Sequence, residues 1–158
     1  MQRKMTLGDF GLHWKKKFED FEKEQKNPSE IKAEGLEDYI TYKKQIDILK
    51  QKVELIIDGC EHASHRKANV KKAEALTKEE NFSIKGPVTR KFAELNEQYQ
   101  SDYSHVQFSA AEKLAAGTMS LFGSTTIAAR QKIAAEKAAA LHQQIEQYDK
   151  PSISPVNA

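Results

Sequence analysis

The stretch 39-YITYKKQIDILKQKVELIIDGCEHA-63 decides the fold class, because its apolar residues recur at alternating steps of three and four. Such spacing places side chains on one face of an α-helix and forms the seam of a coiled coil. Ile40, Ile48 and Ile57 widen that face, and a wide face suits contact with more than one helix. The stripe itself consists of Tyr39, Tyr42, Ile46, Leu49, Val53, Ile56, Cys60 and Ala63.

Prolines mark where the helices should begin and end. Pro28 and Pro87 suit first helical turns, and Gly86-Pro87 is the strongest break in the chain. No β-type alternation appears, so the sequence predicts an all-α fold, an elongated antiparallel helical bundle or coiled-coil hairpin of three to four helices. We expect a single domain over 1–148, with helices at about 6–26, 28–80, 87–116 and 125–148, and a flexible tail over 149–158.

A hairpin with its turn near residue 83 would pair Val53 with Leu114 and His62 with His105. Two such helices alone cannot bury the wide apolar face of the first one. We therefore expect a homodimer, and a compact four-helix monomer is the alternative.

Composition excludes several classes of function. The formal net charge is only +2 over 158 residues, which does not indicate a nucleic-acid partner. Cys60 is the single cysteine, so no intramolecular disulfide can form, and a reducing, cytoplasmic location is favoured. No apolar run reaches the length of about 20 residues that a membrane-spanning helix needs.

No motif predicts catalysis or a cofactor. The chain lacks a phosphate-binding loop and a nucleophile elbow, and Cys60 falls in the apolar stripe as a buried structural thiol. A metal site is a candidate because His62 and His65 would face Asp102 and His105 across the hairpin. The glutamates of carboxylate-bridged bundles are missing at matching levels, so we predict neither a metal nor enzyme activity.

The segment around the predicted hairpin turn is strongly basic. Between His62 and Phe92 there are eight Lys or Arg and three Glu residues. A basic end suggests an anionic partner, and each such residue near an anionic membrane contributes about 1 kcal/mol; an ordinary solvated helix surface is the alternative. The residues predicted to bind are Arg66, Lys67, Lys71, Lys72, Lys85, Arg90 and Lys91.

The N-terminal segment has the composition of a helix that lies in a membrane interface. Phe10 and Trp14 stand beside Lys15, Lys16 and Lys17. The alternative is that this aromatic stripe docks on the core of the bundle.

The order of these features resembles a BAR-type domain over about residues 7–148. A short leading helix precedes a long helix with 36-LEDYI-40 near its start, then a basic turn and a long helix with Tyr99 and Tyr103. The resemblance implies a crescent-shaped homodimer that binds anionic membrane through its basic arm ends.

From these features we expect a non-enzymatic, homodimeric coiled-coil scaffold that binds anionic membrane surfaces through a basic hairpin tip. Such a protein would be cytoplasmic or peripheral to a membrane. The alternative is a soluble helical adaptor or chaperone whose aromatic or alanine-rich face receives a partner protein's helix. A metal-binding helical bundle is the third and least favoured hypothesis.

Overall fold

The computed structural model describes residues 5–113 and 126–150, and apart from one isolated bridge between Thr6 and Gln107 these residues contain no β-structure. The predicted all-α fold is confirmed. The helices with both ends in this range are α1 (Leu7–Lys23), α2 (Leu36–Glu61), α3 (Arg66–Lys78), α4 (Pro87–Ser104) and α5 (Ile127–Asp149). Leu114, and the predicted tail beyond Lys150, lie outside the described residues.

The structure divides the predicted helix 28–80 into separate elements. Asn27 caps only a short 3-10 turn, Pro28–Glu30, and α2 begins at Leu36. At the other end, Arg66 Nε donates to the carbonyl of Gly59 at 2.9 Å, and Asn69 Nδ2 donates to that of Leu55 at 3.1 Å. Side chains of α3 thus bind carbonyl groups near the end of α2, and α3 folds back antiparallel along it.

The predicted hairpin register is wrong, because α2 and α4 run parallel. Asp38, at the start of α2, accepts hydrogen bonds from the backbone N–H groups of Val88 and Thr89, both at 2.9 Å. One turn further along each helix, the rings of Tyr42 and Phe92 lie 5.5 Å apart. The fold-back of α3 supplies the antiparallel partner that the sequence had assigned to α4.

An extended segment returns the chain from the end of α3 to the start of α4. Glu80 contacts Lys52 in the middle of α2, whereas Gly86 lies against Asp38. Fourteen helical residues separate those two levels of α2, about 21 Å at 1.5 Å each. The six residues 81–86 cover about 20 Å when extended, so α3 can be half as long as α2.

The aromatic core lies where α1 crosses α2 and α4. Phe10, Trp14 and Phe18 of α1 are buried and surround Tyr99 of α4 at ring distances of 5.2 to 5.6 Å. Most of the wide apolar face of α2, including Ile48, is covered by helices of its own chain, whereas Ile40 stays 56% exposed. Packing within the chain thus buries most of the face for which a homodimer was expected. Homodimerisation stays a prediction.

The predicted helix 87–116 ends at Ser104. After it, Val106 and Phe108 insert into the core, and the N–H of Gln107 donates to the carbonyl of Met5 at 2.8 Å. Pairing with the chain before α1 therefore replaces the next helical turn.

The last helix, α5, is capped by the hydroxyl of Thr126, which accepts from the N–H of Ala129 at 3.1 Å. It packs antiparallel along α4. Arg90, near the start of α4, pairs with Asp149 at 2.6 Å, and Gln131 binds the carbonyl of Tyr103 at 3.1 Å. Since α2 and α4 are parallel, α3 and α5 also point in one direction.

Candidate functional site

A groove between α3 and α5 contains a cavity of about 270 Å³. These two helices pack on α2 and α4 respectively, but they do not pack along each other. The floor of the groove is therefore formed by α2 and α4. Its apolar lining consists of Leu7, Leu55, Ile56, Val70, Ala73, Tyr99, Tyr103, Phe108, Ile127, Ile133 and Ala134.

The groove is about three helical turns long. Its α3 wall runs from Arg66 to Lys78 and its α5 wall from Ile127 to Lys137. At 1.5 Å per residue these walls measure about 18 Å and 15 Å. Small side chains at Ala73 and Ala134 keep the space between the walls open.

A buried ion cluster stands at one end of the groove. The Glu80 side chain is 6% exposed and contacts the ammonium groups of Lys52 at 2.9 Å and Lys137 at 3.1 Å. Gln100 Nε2 also donates to it, at 3.3 Å. Burial alone would raise the pKa of the Glu80 carboxyl, but the two lysines hold that pKa below its ordinary value. The carboxylate therefore stays ionised and ties α2 and α5 to the end of α3.

Cationic side chains predominate among the ionisable groups that line the groove. Glu74 and Glu112 are its acidic residues. The cationic ones are Lys52, Arg66, Lys78, Arg130 and Lys137. Arg130 stands out because its Nε is buried without a hydrogen-bond acceptor among the described residues. Even with Glu80 counted behind the lining, the groove keeps an excess of two positive charges.

The ionisable groups in and near the groove that could act as nucleophiles are held in their protonated forms. Burial raises the pKa of the Tyr99 hydroxyl well above its ordinary value, so it stays a neutral phenol. Cys60 lies half-buried outside the groove, and burial raises the pKa of its thiol, which disfavours the reactive thiolate. Among the described residues, no serine, cysteine or histidine lines the cavity.

The predicted basic tip does not form, because the structure places its residues at two ends of the bundle. Arg66 contacts Gly59 near the end of α2, whereas α4 begins at Asp38 near its start. The 21 residues between those levels of α2 span about 30 Å. Arg66, Lys67, Lys71 and Lys72 lie on or at the start of α3, and Lys85, Arg90 and Lys91 lie at the start of α4.

Lys85 and Arg90 of this basic set have acidic partners. Lys85 lies 3.7 Å from Glu37, and Arg90 forms a two-pronged bond with Asp149 at 2.6 and 2.7 Å. Hydrogen bonding of its guanidinium to the Asp149 carboxylate raises the pKa of Arg90 above its ordinary value. These two cations thus hold the bundle together at the start of α4.

The predicted interfacial helix has its aromatic face inside the protein. Phe10 and Trp14 are 0% and 1% exposed, and Trp14 Nε1 donates to Asp102 Oδ2 at 2.9 Å. Lys15, Lys16 and Lys17 are exposed on the opposite side of α1. The aromatic stripe of α1 thus docks on the core of the bundle, as the alternative interpretation expects.

The four metal-ligand candidates do not converge. Asp102 accepts from Trp14, and His105 Nδ1 lies 2.8 Å from the carbonyl of Ser101. His62 stacks on His65, whose Nδ1 contacts Asp58 at 2.9 Å. Within residues 5–113 and 126–150, no three His, Cys, Asp or Glu side chains are grouped as metal ligands would be. The predicted pairing of His62 and His65 with Asp102 and His105 is wrong because α4 runs parallel to α2.

Sequence reasoning missed the groove, Glu80 and Asp38. The groove arises from the break at His62, and the nearest helix-weakening residue, Gly59, lies three positions earlier in the last turn of α2. Glu80 reads as one more charge in a basic segment, and Asp38 reads as an ordinary acidic residue in the first turn of its own helix. Besides Gly59, the alanines of α5 were a visible signal, since they predict close or incomplete packing.

Across the described residues, no helix combines the length and apolarity needed to cross a membrane. Comparison with protein-family models, curated proteins and solved structures gives no match to this chain.

Proposed function

We propose that this protein is a helical adaptor, and that the groove between α3 and α5 binds the apolar face of an amphipathic helix from a partner protein. The observation that carries the proposal is the apolar cavity of about 270 Å³, left open between two helices that share a floor without touching along their length. An open apolar site of this kind on an otherwise charged surface is typical of a binding site.

The dimensions of the groove suit a helix. In helix-in-groove recognition, the anchoring residues lie at positions i, i+3 or i+4, and i+7, which spans about 10 Å along the helix axis. The groove walls are longer than that. An enclosed cavity of about 150 Å³ accepts one benzene ring, so the space here holds roughly two anchoring side chains of that size.

The proposal is tested with a fluorescent peptide of about 14 residues, helical by design, with leucine at the anchor positions and neutral residues elsewhere. Fluorescence anisotropy measures its binding to the purified chain. Ile133→Glu is expected to weaken binding at least about tenfold, which is about 1.4 kcal/mol. Ile133 is 39% exposed, so a charge there leaves the fold intact.

Ile40→Glu is the matched control. Ile40 is 56% exposed on α2 and does not line the groove, so this variant is expected to bind like the wild type. Equal loss in both variants, or no binding to the wild type, would overturn the proposal. Binding that appears only after Leu121→Ser and Phe122→Ser, in the stretch between Lys113 and Thr126, would assign the groove to the chain's own residues and also overturn it.

A membrane scaffold makes a different prediction, which vesicle sedimentation tests beside the peptide assay. Lys71 and Lys72 are exposed on α3, and neither lines the groove. If the chain sediments with phosphatidylserine vesicles, loses this in the Lys71→Glu, Lys72→Glu variant and binds no peptide, the membrane scaffold replaces the adaptor.

A further inference from the structure

We infer that the partner helix carries acidic residues two turns apart along one edge of its apolar face; this inference rests on the proposed role of the groove. The apolar lining alone would accept any amphipathic helix. The cationic excess of the lining selects among partner helices, because it attracts a helix with an acidic edge and repels one with a basic edge.

The α5 wall sets the spacing of the acidic residues. Arg130 and Lys137 both line the groove, and they stand seven residues, or about 10.5 Å, apart along α5. A helix lying beside α5 presents residues i and i+7 at the same spacing on one face. Two carboxylates at those positions would lie opposite the two cations.

Of the two cations of the α5 wall, Arg130 is the one that lacks, within the described part of the chain, a hydrogen-bond acceptor for its Nε, which a partner carboxylate could supply. Its Nε is buried and has no acceptor among the described residues, whereas Lys137 is already engaged by Glu80. A buried N–H without an acceptor is unfavourable. Arg130 lines the groove, so its guanidinium is within reach of a ligand there, and a carboxylate matches a guanidinium with two parallel hydrogen bonds.

The test compares three peptides that share the leucine anchors and differ at two edge positions seven residues apart. The first peptide carries glutamate at both edge positions, the second carries glutamine at both, and the third carries lysine at both. At about 0.05 M salt the glutamate peptide is expected to bind at least about tenfold more tightly than the lysine peptide, and the difference should shrink at about 1 M salt. Arg130→Gln should remove most of this preference.

Lys132→Gln is the matched control, since Lys132 is an exposed cation on the same helix that does not line the groove. It should leave the preference unchanged. If all three peptides bind with equal affinity, the inferred acidic edge is wrong while the groove keeps its role. If none binds, the proposed function itself is wrong. An equal effect of Lys132→Gln and Arg130→Gln would reduce the preference to general surface charge and overturn the assignment to Arg130.

Discussion

Asp38 caps a helix that begins 49 residues further along the chain, and its replacement by asparagine tests the parallel arrangement of α2 and α4. Its Oδ2 accepts from the N–H of Val88 at 2.9 Å, and its Oδ1 accepts from the N–H and the hydroxyl of Thr89 at 2.9 and 2.6 Å. Asparagine has the same shape and one acceptor oxygen. In either orientation of the amide, an NH₂ group would face a donor.

The expected cost follows from these contacts. Hydrogen bonds to a charged group contribute about 1.5–3 kcal/mol each, and at least one is lost. Removal of a negative charge from the start of α4 adds about 0.3–1 kcal/mol, or more where the site is buried, as it is here. Together the substitution should lower the free energy of unfolding by about 3 kcal/mol, which lowers Tm by roughly 10 °C in a chain of this size.

Urea denaturation followed by the fluorescence of Trp14, the only tryptophan, measures this cost. The matched control is Glu37→Gln, the same change at the neighbouring position, where the side chain is 76% exposed and lies 3.7 Å from Lys85. Both substitutions remove a charge from the first turn of α2, so the difference isolates the cap on α4. We expect the control to cost less than about 0.5 kcal/mol. A similar small cost for Asp38→Asn would refute the arrangement.

Three further predictions use paired variants and the same denaturation assay. Gly11→Ala should destabilise by about 1–3 kcal/mol, because its Cβ would lie 2.9 Å from an isoleucine of α2, whereas Gly8→Ala should be neutral or slightly stabilising because the nearest atom is 4.0 Å away. Glu80→Gln should cost about 3 kcal/mol at neutral pH, and the neighbouring Glu79→Gln should cost little. Because the pKa of Glu80 is lowered in the folded chain, its contribution is present above the unfolded value of about 4.3 and is lost as pH falls below it, so the penalty of Glu80→Gln should shrink in acid. Asp102→Ala should cost about 1–3 kcal/mol because it leaves the buried indole N–H without its acceptor, and Asp102→Asn should restore most of that loss.

The sequence predicted those features that depend on one element at a time. Periodicity placed Tyr42, Ile46, Leu49 and Val53 in the core, and all four are buried. The position of Pro87 in the first turn of α4 followed from the preferences of helix ends. Local rules are sufficient in these cases because helix periodicity and helix-end preferences depend on the sequence of one helix at a time.

Features that depend on contacts between elements could not be predicted. The end of α2 is set by Arg66 and Asn69, which bind backbone carbonyls of Gly59 and Leu55. Neither side chain differs in the sequence from one that points into solvent. A prediction that continues α2 past His62 makes α4 its antiparallel partner. The predicted basic tip and the predicted metal pairing both depend on that arrangement.

The attachment of the groove walls bears on what the groove can do. The aromatic core joins α1, α2 and α4, whereas α3 packs on α2 and α5 packs on α4. Each wall is therefore held by its own floor helix, and the Glu80 cluster links the two walls at one end. At the other end, Ile127 of α5 packs against the core, and Gln131 donates to the carbonyls of Tyr103 and Val106 at 3.1 and 2.9 Å. Both ends of the α5 wall are therefore held by side-chain contacts, so the groove can persist without contacts along its length between the two walls.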